Sequence, residues 1–99
     1  MRLYRFPSPD KERPVVVLTR DVMISRLSRV TVAPITSTMR VNPSEVLLGV
    51  DDGMKGECAV NLHNTVTVTQ SLLGRRVAQL SAARMNEICA ALRFALGCD

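Results

Sequence analysis

Arg13, Thr36 and His63 are the residues of this sequence whose types suit one piece of chemistry, the cleavage of a phosphodiester that carries its own nucleophile. RNA has that nucleophile in its 2′-OH. Cutting beside it requires a group to take the 2′-OH proton, charge to neutralise the crowded phosphorane, and a proton for the leaving 5′ oxygen. Arg13 offers a planar fork that grips two phosphate oxygens at once. Thr36 offers a neutral hydroxyl donor. His63, with an ordinary pKa of about 6.5, can exchange a proton near cellular pH. Each of these residues also has a purely structural reading. Arg13, next to Pro14, reads equally as a solvated loop cation. A lone histidine on a strand is more often a packed or hydrogen-bonded residue. The cluster Thr36-Ser37-Thr38 can serve only to cap a turn, and Asn61 and Asn64 can serve only backbone groups at a strand end.

Other routes to chemistry are missing. The sequence has no Walker loop, no G-x-G-x-x-G, no H-E-x-x-H and no G-x-S-x-G. A single histidine leaves a zinc site short of its usual ligands, so no metal and no cofactor are expected. The three cysteines, Cys58, Cys89 and Cys98, are odd in number and lack C-x-x-C spacing. They fit a reducing cytoplasm better than a disulfide framework. No apolar run approaches the roughly 20 residues that span a bilayer. Arg2 and Arg5 have no apolar segment behind them of the kind a signal peptide needs. The net charge of +4, from 13 Lys and Arg against 9 Asp and Glu, permits a polyanionic partner without demanding one. Eleven of the 13 basic residues are Arg, which suits phosphate recognition.

These residues need a scaffold, and 99 residues provide one domain (1–99). With only three aromatics, the core has to be built from Val, Leu, Ile, Met and Ala. Such a small core is marginal alone, and a dimer is a natural way to bury more surface. Residues 2–6 alternate charged and apolar and predict a short edge strand. Two prolines and four charges make residues 7–13 a loop. PVVVLT, residues 14–19, is a β-branched run that predicts a strand buried on both faces. In residues 21–28, Met23, Ile24 and Leu27 can cover a barrel end. Residues 29–35 predict the central strand, which Pro34 is expected to stop, delivering the hydroxyls of 36–38 to a rim. After the polar connection 39–44, strands are expected at 45–50, 58–62, 65–69 and 75–80, with Val77 the inward candidate of the last. Ser81 is a natural N-cap and Gly97 a natural stop. Between them Met85, Ile88, Cys89, Leu92, Ala95 and Leu96 fall at helical spacing, predicting a helix over about 82–96. Five to seven short strands and one helix make a mainly β chain, a small, strongly bent antiparallel barrel with a helix packed on it.

Four stretches carry a family resemblance. Arg13-Pro14 opens VVVLTRD; VTVAPITS, AVNLHN and GRRVAQLS follow, and the last runs into a helix ending ALRFALGC. In order and spacing, over nearly the whole chain, they resemble the MazF/PemK family of toxin ribonucleases. That resemblance implies an SH3-like antiparallel β-barrel of the MazF/PemK/CcdB type with a C-terminal α-helix. It also implies a homodimer whose groove holds single-stranded RNA. The implied activity is metal-free cleavage within a short sequence motif, leaving a 2′,3′-cyclic phosphate and a 5′-hydroxyl. The implied restraint is a MazE-like antitoxin whose acidic tail lies over the basic groove. The family's catalytic arginine falls on Arg13, its catalytic threonine on Thr36, and Ser37 matches the small hydroxylic residue beside it. Lys11, Ser37, Asn61 and Asn64 are the candidate RNA contacts. Two departures stand out. Where many members carry an acidic residue and then Gln-Ile-Arg-Thr, this chain has His63-Asn64-Thr65-Val66-Thr67, so His63 is the candidate for proton transfer. The loop at 7–13 is shorter than the family's Gly-rich cover. A rival reading is a non-catalytic barrel of the same shape that binds RNA or protein, including a gyrase poison. Another is a structural subunit that assembles through the helix face from Met85 to Leu96.

Overall fold

The computed structural model of the chain describes residues 1–6, 12–19, 21–24 and 26–98. Most of the loop expected at 7–13, including Lys11, lies outside them. In chain order the elements are β1 (Arg2–Arg5), β2 (Glu12–Val17), the one-turn helix α1 (Asp21–Ile24), β3 (Arg29–Thr36), β4 (Glu45–Leu48), β5 (Cys58–Asn61), β6 (Val66–Thr69) and α2 (Ala82–Leu96). All the strand pairs are antiparallel, following the path β1-β2-β3-β5-β4 with β6 also on β3. The sheet curls into a partly open barrel. Among the described residues its path ends at β1 and β4, which do not pair with each other.

β3 is paired along both edges. On one edge Val32, Ala33 and Pro34 stand opposite Val17, Val16 and Val15 of β2. On the other edge β6 takes residues 29–32 and β5 takes Ile35 and Thr36. The β5 and β6 segments are separated by a 3-10 turn, Leu62–Asn64. Leu18 N–H donates to the Thr31 carbonyl at 2.8 Å. Because hydrogen-bonding direction alternates along a strand, this bond turns the backbone of Ala33 and Ile35 toward β2 and that of Pro34 toward the other edge. Pro34 stands there in the gap between the β6 and β5 ladders, where no N–H is required. Contrary to the expectation that Pro34 stops the strand, β3 runs through it to Thr36.

Two cores lie on opposite faces of the sheet. Val16, Ala33 and Ile35 join Val46, Leu48, Val60 and Leu62 beneath Ile88 and Ala91 of α2. Val15, Val30, Val32, Val68 and Leu73 form the other, covered by Tyr4, Phe6 and Ile24. β2 is thus buried on both faces, as its unbroken β-branched run requires. The helix has its expected bounds. Ser81 Oγ accepts from Arg84 N–H at 3.2 Å, and Gly97, at φ +72°, closes the other end onto the Arg93 and Phe94 carbonyls. Cys89 and Leu96, expected on the apolar face, are exposed in the single chain. Each is one residue, about 100° of rotation, past the inward Ile88 and Ala95.

The expected strand at 75–80 is absent. This segment lies extended along β1, with one isolated bridge, Arg2 to Arg76, and with Leu3 N–H on the Arg75 carbonyl and Val77 N–H on the Met1 carbonyl. The four-residue β1 is too short to template more. Gly74 allows the approach, since a Cβ there would lie 3.2 Å from the Leu3 carbonyl oxygen.

Val41, at φ +47° and 75% exposed, sits in the loop between β3 and β4. The left-handed conformation costs an L-residue about 1–2 kcal/mol, and a β-branched one has no local hydrogen bond to offset it. Val41→Asn should therefore raise stability by about 1 kcal/mol, a shift of roughly 4–8 °C in Tm for a domain of this size. A thermal melt with no upward shift would rule out the strained conformation in solution.

Candidate active site

Beyond Val15 and Pro34 the β2–β3 ladder ends. The next pair to exchange hydrogen bonds would be Pro14 and Ile35, and Pro14 has no N–H to give. From that point β2 is paired only with β1, and β3 only with β5. An open groove of about 780 Å³ lies where the two strands part. Continuing the register by two residues sets Arg13 across from Thr36, and both side chains line this groove together with Ser37. One turn of antiparallel geometry thus joins two residues that are 23 positions apart in the chain.

Thr36 is half-buried, and its Oγ1 accepts the Thr38 N–H at 3.1 Å. A hydroxyl has one hydrogen to donate in addition to its acceptor sites. The bond from Thr38 therefore fixes the oxygen and leaves the O–H available to a substrate. Arg13 is half-buried on β2, paired to Tyr4 of β1. The opposite wall is the connection ahead of β5, residues 53–58, and it brings Lys55 and Glu57. Arg75 completes the charged lining. Among the described residues, three cations against one carboxylate line the groove, a polarity that suits a polyanion.

Lys55, Glu57 and Arg75 were not among the residues expected from sequence. Lys55-Gly56-Glu57 reads as a surface turn, and only the pairing of Thr36 with Ala59 reveals that it runs beside the hydroxyl cluster. The residues expected on the other strand lie elsewhere. Asn61 ends β5, and its Oδ1 accepts the His63 N–H at 3.0 Å, capping the 3-10 turn. His63 and Asn64 are exposed on that turn and do not line the groove. Along β5 they lie on the order of 10 Å from the position that pairs with Thr36. Cys58 does line the groove, but burial and then the nearby Asp52 charge push its thiol pKa up. It stays protonated and unreactive at neutral pH.

The wall at 53–58 is tied down at its start. Asp52 closes the 3-10 turn Val50–Asp52, accepting from Gly49 N–H and from Arg84 Nε, each at 2.9 Å. The Gly49 N–H and then the Arg84 guanidinium hold its carboxyl below the usual carboxylate range.

The comparison with known proteins settles the family. The profile of the family described as PemK-like, MazF-like toxin of type II toxin-antitoxin system matches residues 4–96. The chain belongs to this family. A probable endoribonuclease of Mycobacterium tuberculosis, MazF2, is 39% identical over 92 residues, covering 92% of this chain and 90% of the relative. Among solved structures, the Mycobacterium tuberculosis toxin MazF-mt6 superposes with a TM-score of 0.88 at 33% identity, covering 100% of this chain and 99% of the other. A mycobacterial endoribonuclease in complex with its cognate antitoxin superposes at 0.85 with 28% identity, covering 99% and 93%. The MazF-like fold is thus the frame in which Arg13 and Thr36 meet.

A carboxyl whose pKa is lowered in the folded state stabilises that state above its unfolded pKa, about 3.9 for Asp. The contribution is lost as pH falls through the folded value. Denaturation midpoints taken from about pH 6 down to about pH 2 should therefore fall more steeply for the native chain than for Asp52→Asn. Equal slopes would remove Asp52 from the acid linkage.

Proposed function

We propose that this chain is the toxin of a type II toxin–antitoxin pair, and that it acts in the cytoplasm as a sequence-specific, metal-independent endoribonuclease on single-stranded RNA. The convergence of Arg13 and Thr36 on one cationic groove, in a chain of the MazF-like family, carries this reading. Arg13 clamps the scissile phosphate and Thr36 O–H donates to the same oxygens, so both stabilise the phosphorane more than the ground state. The 2′ oxygen forms a bond to phosphorus as its proton passes to the carboxylate of Glu57. The bond to the 5′ oxygen breaks, that oxygen takes a proton from water in the open groove, and Glu57 gives up its proton to the hydroxide left behind. The products are a 2′,3′-cyclic phosphate and a 5′-hydroxyl. Ser37 adds a hydroxyl for RNA contact on the same rim. Asn61, which caps its own turn, and His63 and Asn64 on that turn lie outside the groove lining.

The working form is a homodimer. Phe94 and Leu96 are 53% and 63% exposed on the single chain and offer apolar surface for a second copy to cover. A MazE-like antitoxin restrains it, with acidic residues over the groove's arginines. No described helix is long and apolar enough to cross a membrane.

Cleavage of a long mixed-sequence RNA in excess EDTA tests the reading. Discrete cuts with cyclic-phosphate ends are expected, reduced by about 10²–10³ or more in Arg13→Ala and in Thr36→Val, the scale for loss of one transition-state donor. Glu57→Gln should slow the reaction, whereas His63→Ala should leave the rate unchanged. Intact RNA with a folded dimer would overturn the ribonuclease reading and favour a binding barrel.

A further inference from the structure

Arg84 stands at an unusual place for a cation. It is the third residue of α2, its own N–H bonded to the N-cap Ser81. The start of a helix is its positive end, and glutamate or glutamine is the residue that completes a cap there. Arg84 instead reaches out of the helix to the Asp52 carboxylate, whose side chain is only 9% exposed, and braces itself on Glu87 at 2.9 Å. Both Asp52 oxygens are used, one by Arg84 Nε and the other by Gly49 N–H. A third restraint lies beside them. Gly53, at φ +90°, is pressed against Ala78, where a Cβ would lie 3.2 Å away. The turn so fixed leads directly into residues 53–58, which form one whole wall of the groove.

From this arrangement we infer that Asp52 and Arg84 are positioning residues: their ion pair anchors the wall at 53–58 to α2 and holds Lys55 and Glu57 against the RNA. The inference rests on the ribonuclease reading of the groove. Arg13 and Thr36 are on β2 and β3, whose pairing does not involve the clamp. Loosening the clamp therefore acts on RNA capture through Lys55 and on proton transfer through Glu57, and leaves the Arg13–Thr36 pair in place. Releasing one residue of backbone order that RNA must then restore raises KM about tenfold.

Arg84→Ala is the informative variant, because alanine is the better helix former and removes a cation from the positive helix end. Two measurements follow it. Amide hydrogen exchange should quicken across residues 53–58 and stay unchanged in β2 and β3. On RNA, KM should rise about tenfold and kcat should fall with it as Glu57 loses its placement, and Arg84→Lys, which keeps a charge opposite Asp52, should recover most of both losses. Unchanged exchange at 53–58, or a fall in kcat at constant KM as from a reduced folded fraction, would overturn the inference. The exchange experiment needs no RNA. A chain that cuts nothing would sink the ribonuclease reading, while exchange alone would still decide whether the clamp holds the wall.

Discussion

Two missing N–H groups shape this molecule. β3 carries ladders on both edges, and a strand so committed has little freedom to build a site. Pro34 makes room on one edge, at the step between the β6 and β5 ladders. Pro14 makes room on the other, where it removes the donor that would have continued the β2 ladder. Without the second, β2 and β3 would zip together past Arg13 and Thr36, and two facing residues would be cross-strand neighbours on a closed sheet. With it, the same register delivers them to an opening. The prolines therefore do not weaken the sheet. They choose where it ends.

What the packing contributes is stiffness behind that opening. The alternation along β2 and β3 sends Val15 and Val16, and likewise Val32 and Ala33, into different cores. Neither strand can slide by one residue without moving buried side chains to the wrong face. The register that aligns Arg13 with Thr36 is consequently locked by residues that never touch substrate.

Much of this was readable from local pattern. α2 was legible to the residue because its signals are all local, a cap, a 3.6-residue period and a terminal glycine. The strand at Val15 and Val16 was legible from its unbroken β-branched run. Arg13 and Thr36 were singled out as chemistry and from family resemblance, and their placement on one groove depends on a pairing no local window contains. The errors share that cause. Pro34 looks like a strand end unless the two ladders beyond it are known. Residues 75–80 look like a strand until β1 proves too short to hold them. His63 was singled out for its imidazole and for standing where relatives carry an acid, yet it lies off the groove, while Lys55, Glu57 and Arg75, which line it, looked like ordinary surface charge. Which of these residues share a groove is fixed by long-range register, and composition carries no trace of it.

A groove created by absent donors exists before any ligand arrives. Opening it breaks no ladder hydrogen bond between β2 and β3, because their pairing already ends at Val15 and Pro34. A regulator that covers such a site restrains it without remodelling the ladder beneath, and occlusion is reversible at the speed of dissociation.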